Sequence, residues 1–266
     1  MRWACLAGVA LASAAVGIAR ADPRLDEKVY DPYVESGVVE VEARSAGLVG
    51  AVGAQAASVY ELEYGLNKHL SVALVGVESR PMRDADRWSS VGVEGVYYLG
   101  RMPKLGVDAA LYLEYARGLN GEADKLEGKL LLARRAGRFE GLVNLIAERP
   151  LNARAGGNYA SYGYAASATW RTVGDLRVGA EALGDFGSDH GLGGRQGAFV
   201  GPEVKWEVHP FGGRDLDTDA DGDEPVGHAG PPIEIDVDAG WLAAVGADRS
   251  EAASQARVSV EVERKF

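Results

Sequence analysis

The chain has 266 residues and a formal net charge of −11, a length that suits one large domain or two small ones. Its 28 Lys and Arg residues form no basic block, which excludes nucleic-acid binding by counterion displacement as a main role. The hydrophobic content of 47% excludes wholesale disorder, and 36 Gly against 3 Met and one Cys favour strands and turns over helices.

Residues 1–21 read as a cleaved secretory signal peptide. Met1-Arg2 precedes an apolar run from Trp3 to Ile18, and Ala19-Arg20-Ala21 is a small-x-small cleavage site. Cys5 leaves with this segment, so the mature chain from Asp22 has no disulfide and no thiol chemistry. No later stretch reads as a spanning helix, so a membrane role has to be built from strands.

From Gly37 onward apolar residues recur with period two, the signature of strands. Twelve segments show it: 37–44, 57–64, 70–78, 89–99, 106–116, 124–133, 139–148, 159–171, 176–184, 199–208, 233–246 and 256–266. Many have about ten residues, the length a tilted strand needs to cross a bilayer. The connections alternate. Gly65–His69, Gly100–Leu105, Arg134–Arg138 and Thr172–Asp175 are short, and 45–56, 79–88, 149–158, 185–198 and 247–255 are longer. Long loops on one side and tight turns on the other are the layout of an outer-membrane barrel, with both chain ends on the turn side. The connection 209–232 breaks this rule by its length.

Aromatics on the apolar parity fall into two groups. Tyr64, Tyr97, Phe139, Trp170, Trp206 and Phe266 lie near the turn side, and Trp88, Tyr115 and Tyr162 near the loop side. Two such girdles match two membrane interfaces. A soluble barrel or sandwich would instead put these rings in its core.

A signal peptide, alternating strands and a last strand carrying Val258, Val260, Val262 and a terminal Phe266 resemble Gram-negative outer-membrane β-barrel proteins. Arg264 departs from that pattern, where an apolar residue is more usual. The stretch Tyr60-Glu61-Leu62-Glu63-Tyr64-Gly65-Leu66-Asn67-Lys68-His69-Leu70 resembles a hairpin of uncharacterised porin-like barrels, including the MetA-pathway phenol-degradation group. The resemblance implies an all-β fold: a single antiparallel transmembrane β-barrel over 22–266, about 12 strands, with 10 or 14 as alternatives. It also implies location in the cell outer membrane, contact with outer-membrane lipid, and Phe266 as the signal for the barrel-assembly machinery.

With the apolar parity facing lipid, the other parity faces the lumen. It carries Glu40, Glu61, Glu63, Glu94, Asp108, Glu114, Lys125, Glu127, Lys129, Glu148, Arg171, Arg177, Glu181, Lys205, Asp236, Arg257 and Glu261 as the candidate pore lining. So many ionised groups require water or dense pairing. A wet lumen with excess acid implies a passive channel for small polar or cationic solutes. Cross-strand pairing that plugs the lumen implies a non-conducting structural or surface-presenting barrel. An outer-membrane lipid-modifying enzyme is a third reading. It lacks support, because no Gly-x-Ser-x-Gly, His-Glu-x-x-His or Walker loop is present and no His lies in a strand on the lipid-facing parity. No cofactor is expected. His69, His190, His209 and His228 read as surface residues.

The 209–232 insertion contains Asp217-Thr218-Asp219-Ala220-Asp221-Gly222-Asp223, spaced like the opening of a calcium loop. Asp217, Asp219, Asp221 and Asp223 are the candidate calcium ligands. The bidentate acid such a loop needs at its twelfth position is His228 instead, and a solvated acidic tether is the alternative.

Overall fold

A computed structural model describes residues 24–51, 55–80, 85–153, 159–193, 196–210, 233–250 and 252–266. Residues 1–21, read as the signal peptide, lie outside the described residues, as does most of the acidic insertion with Asp217, Asp219, Asp221 and Asp223.

Twelve antiparallel strands form the wall. They are β1 (Val38–Val49), β2 (Ala56–Asn67), β3 (Leu70–Arg80), β4 (Arg87–Met102), β5 (Val107–Gly118) and β6 (Lys125–Ala136). The second half holds β7 (Phe139–Pro150), β8 (Ser161–Arg171), β9 (Leu176–Ser188), β10 (Gly197–Val208), β11 (Ile233–Gly246) and β12 (Ser254–Lys265). Each strand pairs with its sequence neighbours, and β12 pairs with β1 from Val38↔Lys265 to Val49↔Ser254, which closes the barrel. A two-residue strand, Gly191–Leu192, folds back on the end of β9, and Ala247–Ser250 makes one 3-10 turn. Closure leaves no unpaired edge, the requirement for spanning a bilayer with strands.

The expected strand count and order hold, and several strands are longer than the alternation indicates. β1 continues past residue 44 because the ladder continues through Ala46↔Ala57 and Gly47↔Ala56. Small residues there carry little hydropathy signal, while their backbone groups still pair.

The outer surface is apolar along the strands. Leu62, Leu74, Val93, Leu113, Leu145, Val204 and Val260 are all exposed on it. Tyr64, Tyr97, Phe139, Trp170, Trp206 and Phe266 ring one rim, and Trp88 and Tyr115 lie at the other. In water such a continuous apolar band would be an aggregation surface; against lipid it is the stable arrangement. Among the described residues no helix is long and apolar enough to cross a membrane.

The chain before β1 is not part of the wall. Residues 24–37 run through the inside of the barrel, with Arg24, Glu27, Tyr30, Pro32 and Val34 buried. The segment starts near the loop rim, where Arg24 binds Asp185 of β9, and reaches the turn rim, where Glu35 lies 3.9 Å from Lys265 of β12. The first described residue, Arg24, therefore lies toward the loop rim, while Phe266 lies on the turn side, so the two ends of the described chain do not share a rim as an even strand number implied. Strand parity cannot register this, because the crossing back through the barrel is made without a strand.

Candidate functional site in the barrel lumen

The inward parity brings the sequence-predicted lining residues to one interior surface. Two rows of carboxylates run side by side across four adjacent strands. Glu63, Glu40, Glu263 and Glu234 stand opposite one another on β2, β1, β12 and β11. In the next row stand Glu61, Glu42, Glu261 and Asp236, with Glu207 of β10 beyond Asp236. Like charges directly opposite on a sheet repel, so this wall needs cations.

Lys28 of the N-terminal segment supplies one. Its Nζ is 2.6 Å from Glu42, 3.8 Å from Glu40, 3.9 Å from Glu261 and 4.0 Å from Glu61. Burial opposes the Lys28 charge, but these four carboxylates outweigh it and hold the ammonium well above its ordinary range, so it stays protonated. Arg44 adds a second cation, donating to Glu42 at 2.7 Å and Glu61 at 2.9 Å.

A basic row lies farther round the barrel and meets the acid row on β10. Arg171, Arg177 and Lys205 stand opposite one another on β8, β9 and β10. Arg171 is 3.7 Å from Asp175, and Lys205 is 3.6 Å from Asp238. Arg257 lies 3.5 Å from Glu181 and also donates to the Glu27 carbonyl. The acid and base walls border a cavity of about 260 Å³ in which carboxylates outnumber basic groups. Groups of unlike sign around one cavity set a field across it.

The other side of the lumen is filled. Lys129 is nearly inaccessible, 2.5 Å from Glu27 and 3.1 Å from Glu127, and lies over the rings of Tyr30 and Tyr112 at 4.2 and 4.6 Å. Lys125 reaches Asp26, Glu114, Glu127 and Glu148 at 3.5–3.9 Å. Tyr112 donates to Glu94 at 2.6 Å, and Asp108 accepts from Tyr98 at 2.8 Å and Tyr33 at 3.4 Å. Tyr30 is locked by Asn144, whose Nδ2 donates to the Tyr30 carbonyl at 2.8 Å and whose Oδ1 accepts its amide at 2.7 Å. Toward the loop rim Ile146, Ala165, Leu183, Phe199, Leu242, Ala244 and Ala252 form an apolar cluster, with Val29 of the segment against it.

Arg24, Glu27, Lys28, Tyr30, Tyr33 and Asn144 are not among the expected site residues. Three local signals mark them. Asn144 is a polar residue inside the apolar stretch Leu142-Val143-Asn144-Leu145 and is fully buried. Gly65 and Gly163 face the threaded segment so closely that a Cβ would collide with the Glu35 carbonyl and the Arg24 guanidinium respectively. His209 also departs from its expected surface position. Its Nε2 lies 3.3 Å from Glu207 and 3.4 Å from Glu234, with the side chain 12% exposed, because the β10–β11 register carries it onto the acid wall. His228 lies outside the described residues.

No family model matches the chain, and no curated protein sequence matches it. The hairpin likeness to the MetA-pathway phenol-degradation group thus gains no support. Solved structures do match. The COG4313 outer membrane channel from Pseudomonas putida F1 aligns over 93% of this chain and 100% of its own, with 12% identity and a TM-score of 0.56. The KdgM porin aligns over 86% and 99%, with 9% identity and a TM-score of 0.48. The outer membrane protein Omp33 of Acinetobacter baumannii aligns over 89% and 100%, with 11% identity and a TM-score of 0.39. At 12% identity the first of these establishes architecture and nothing finer: this chain has the closed antiparallel barrel fold of an outer-membrane channel protein.

Proposed function

We propose that the protein is an outer-membrane channel for small polar or cationic solutes, held closed by residues 24–37. The observation that carries this reading is the acid-rich cavity of about 260 Å³ beside the threaded segment. A barrel needing only to be filled could pack that space with apolar side chains, as the apolar cluster at the loop rim of the same lumen does. Passage requires the segment to shift, since it occupies the lumen from the Arg24–Asp185 contact to the Glu35–Lys265 contact. The solute class rests on the excess of carboxylates over basic groups around the cavity. No catalytic role is assigned. The apolar cluster at the loop rim favours a second reading, a barrel that never opens.

Planar-bilayer recordings of the refolded full chain, with reversal potentials in a salt gradient, test the proposal. The expected result is low conductance with cations more permeant than anions, the preference weakening at high salt. Charge reversal at Glu40 and Glu263 should reduce that preference. Anion selectivity would mean that the acid wall does not line the path. Zero conductance, both in the native chain and after loosening of the segment, would favour the sealed barrel.

A further inference from the structure

On the wall formed by β2, β3 and β4, three carboxylates converge away from the main acid–base cavity. Glu63 and Glu94 stand on either side of Ala73, paired with it from the two neighbouring strands. Glu61 follows Glu63 on the same face of β2. A methyl group at Ala73 leaves the space above it to the acids. One carboxylate oxygen from each of Glu61, Glu63 and Glu94 lies within 4.8 Å of the others. Three oxygens inside that limit are close enough to share one calcium-sized ion after small side-chain adjustment.

Acidic proximity alone would not distinguish a site from a repulsive patch, and a second feature does. Ser71, on the same face of β3 as Ala73 and diagonal to Glu63 and Glu94, is fully buried. Its hydroxyl lies beside Glu63 but meets no hydrogen-bond geometry. Glu61 and Glu94, themselves 3% and 5% exposed, each hold one oxygen in a strong contact. The Glu61 Oε2 accepts from Arg44 and the Glu94 Oε2 from Tyr112, while both Oε1 atoms are buried without a donor. Buried oxygens left without a partner are costly, and here three of them share one patch of wall. Lys28 and Arg44 do not meet this need, because their closest contacts are to Glu42 and to the Glu61 Oε2.

From this we infer that Glu61, Glu63, Glu94 and Ser71 form a binding site for a single hard divalent cation, calcium by size and donor type, in the lumen wall. An all-oxygen set of three carboxylates and a hydroxyl is the donor chemistry calcium takes, with water completing the shell. Glu63 borders the main cavity and Glu94 the smaller space on the other side of the segment, so the ion enters through the lumen. Bound there, it ties β2 to β4 across β3. The inference does not depend on conduction, because a sealed barrel would bind the ion equally.

Terbium luminescence of the refolded full chain in detergent, with calcium as competitor, tests it. Tyr112 lies 2.6 Å from Glu94 and serves as the sensitiser. Saturable terbium emission displaced by about millimolar or lower calcium is expected. Glu63→Gln and Glu94→Gln should each weaken binding at least about tenfold, and Ser71→Ala by a smaller factor. Asp219→Ala with Asp221→Ala, in the acidic insertion, should leave this emission in place. Unboiled gel mobility checks that each variant is folded, and Ser71→Ala serves if the acid variants do not refold. Absence of saturable binding would overturn the inference. So would binding unchanged in the Glu63 and Glu94 variants, or abolished by the insertion variant alone.

Discussion

Replacing Asn144 with Leu removes the clamp on the threaded segment with little change in side-chain volume. Asn144 makes both of its bonds to the main chain of Tyr30, at 2.7 and 2.8 Å, and is fully buried. Each neutral hydrogen bond contributes about 0.5–1.5 kcal/mol net, so the pair contributes about 2 kcal/mol to keeping the segment seated. Leu cannot replace either bond, and the Tyr30 amide and carbonyl would be left buried and unpaired unless the segment moves. A loss of about 2 kcal/mol shifts the seated-to-displaced ratio about thirtyfold. Hydrogen exchange of peptides covering 24–37 reads this shift directly, and the strands of the wall act as the internal control. The same variant should open more often in bilayer recordings. Unaltered exchange of residues 28–34 in a folded Asn144→Leu protein would refute the assignment of Asn144 as the clamp.

Lys129→Met should destabilise the barrel by about 3 kcal/mol, because it removes the shortest cation contact of both buried acids and leaves Glu27 with Arg24 at 3.9 Å and Glu127 with Lys125 at 3.5 Å. Adding Glu27→Gln should recover part of the loss in denaturant unfolding. Leu74→Arg, on the lipid face near the middle of β3 and 60% exposed there, should cost about 2–4 kcal/mol and lower the refolded fraction in lipid vesicles. The same change at Lys104, in the turn between β4 and β5, to Arg should have no such effect. Deleting Phe266, which is 77% exposed at the turn rim, should reduce the amount of barrel assembled in the outer membrane while sparing refolding into detergent. Equal reduction in both assays would assign Phe266 a folding role instead.

Period-two alternation determines which side chains of each strand face lipid and which face inward, because successive Cβ atoms point to opposite faces of a sheet. Val258, Val260 and Val262 outside, and Glu261 and Glu263 inside, were legible for that reason, as were the aromatic rims and the short turns between paired strands. What alternation cannot carry is register between strands. The rows Glu63–Glu40–Glu263–Glu234 and Arg171–Arg177–Lys205, and the meeting of Glu61, Glu63 and Glu94 around Ala73, exist only once the strands are aligned. Residues 24–37 show the limit most clearly. The side-chain hydrogen bonds that hold them to the wall span 14 to 230 positions of the chain, from Glu42 to Arg257. A segment held by contacts of that range needs no periodicity of its own, so its sequence shows charges and tyrosines without a pattern. Only the closed barrel supplies the interior that orders it, and with it the line between an open and a filled lumen.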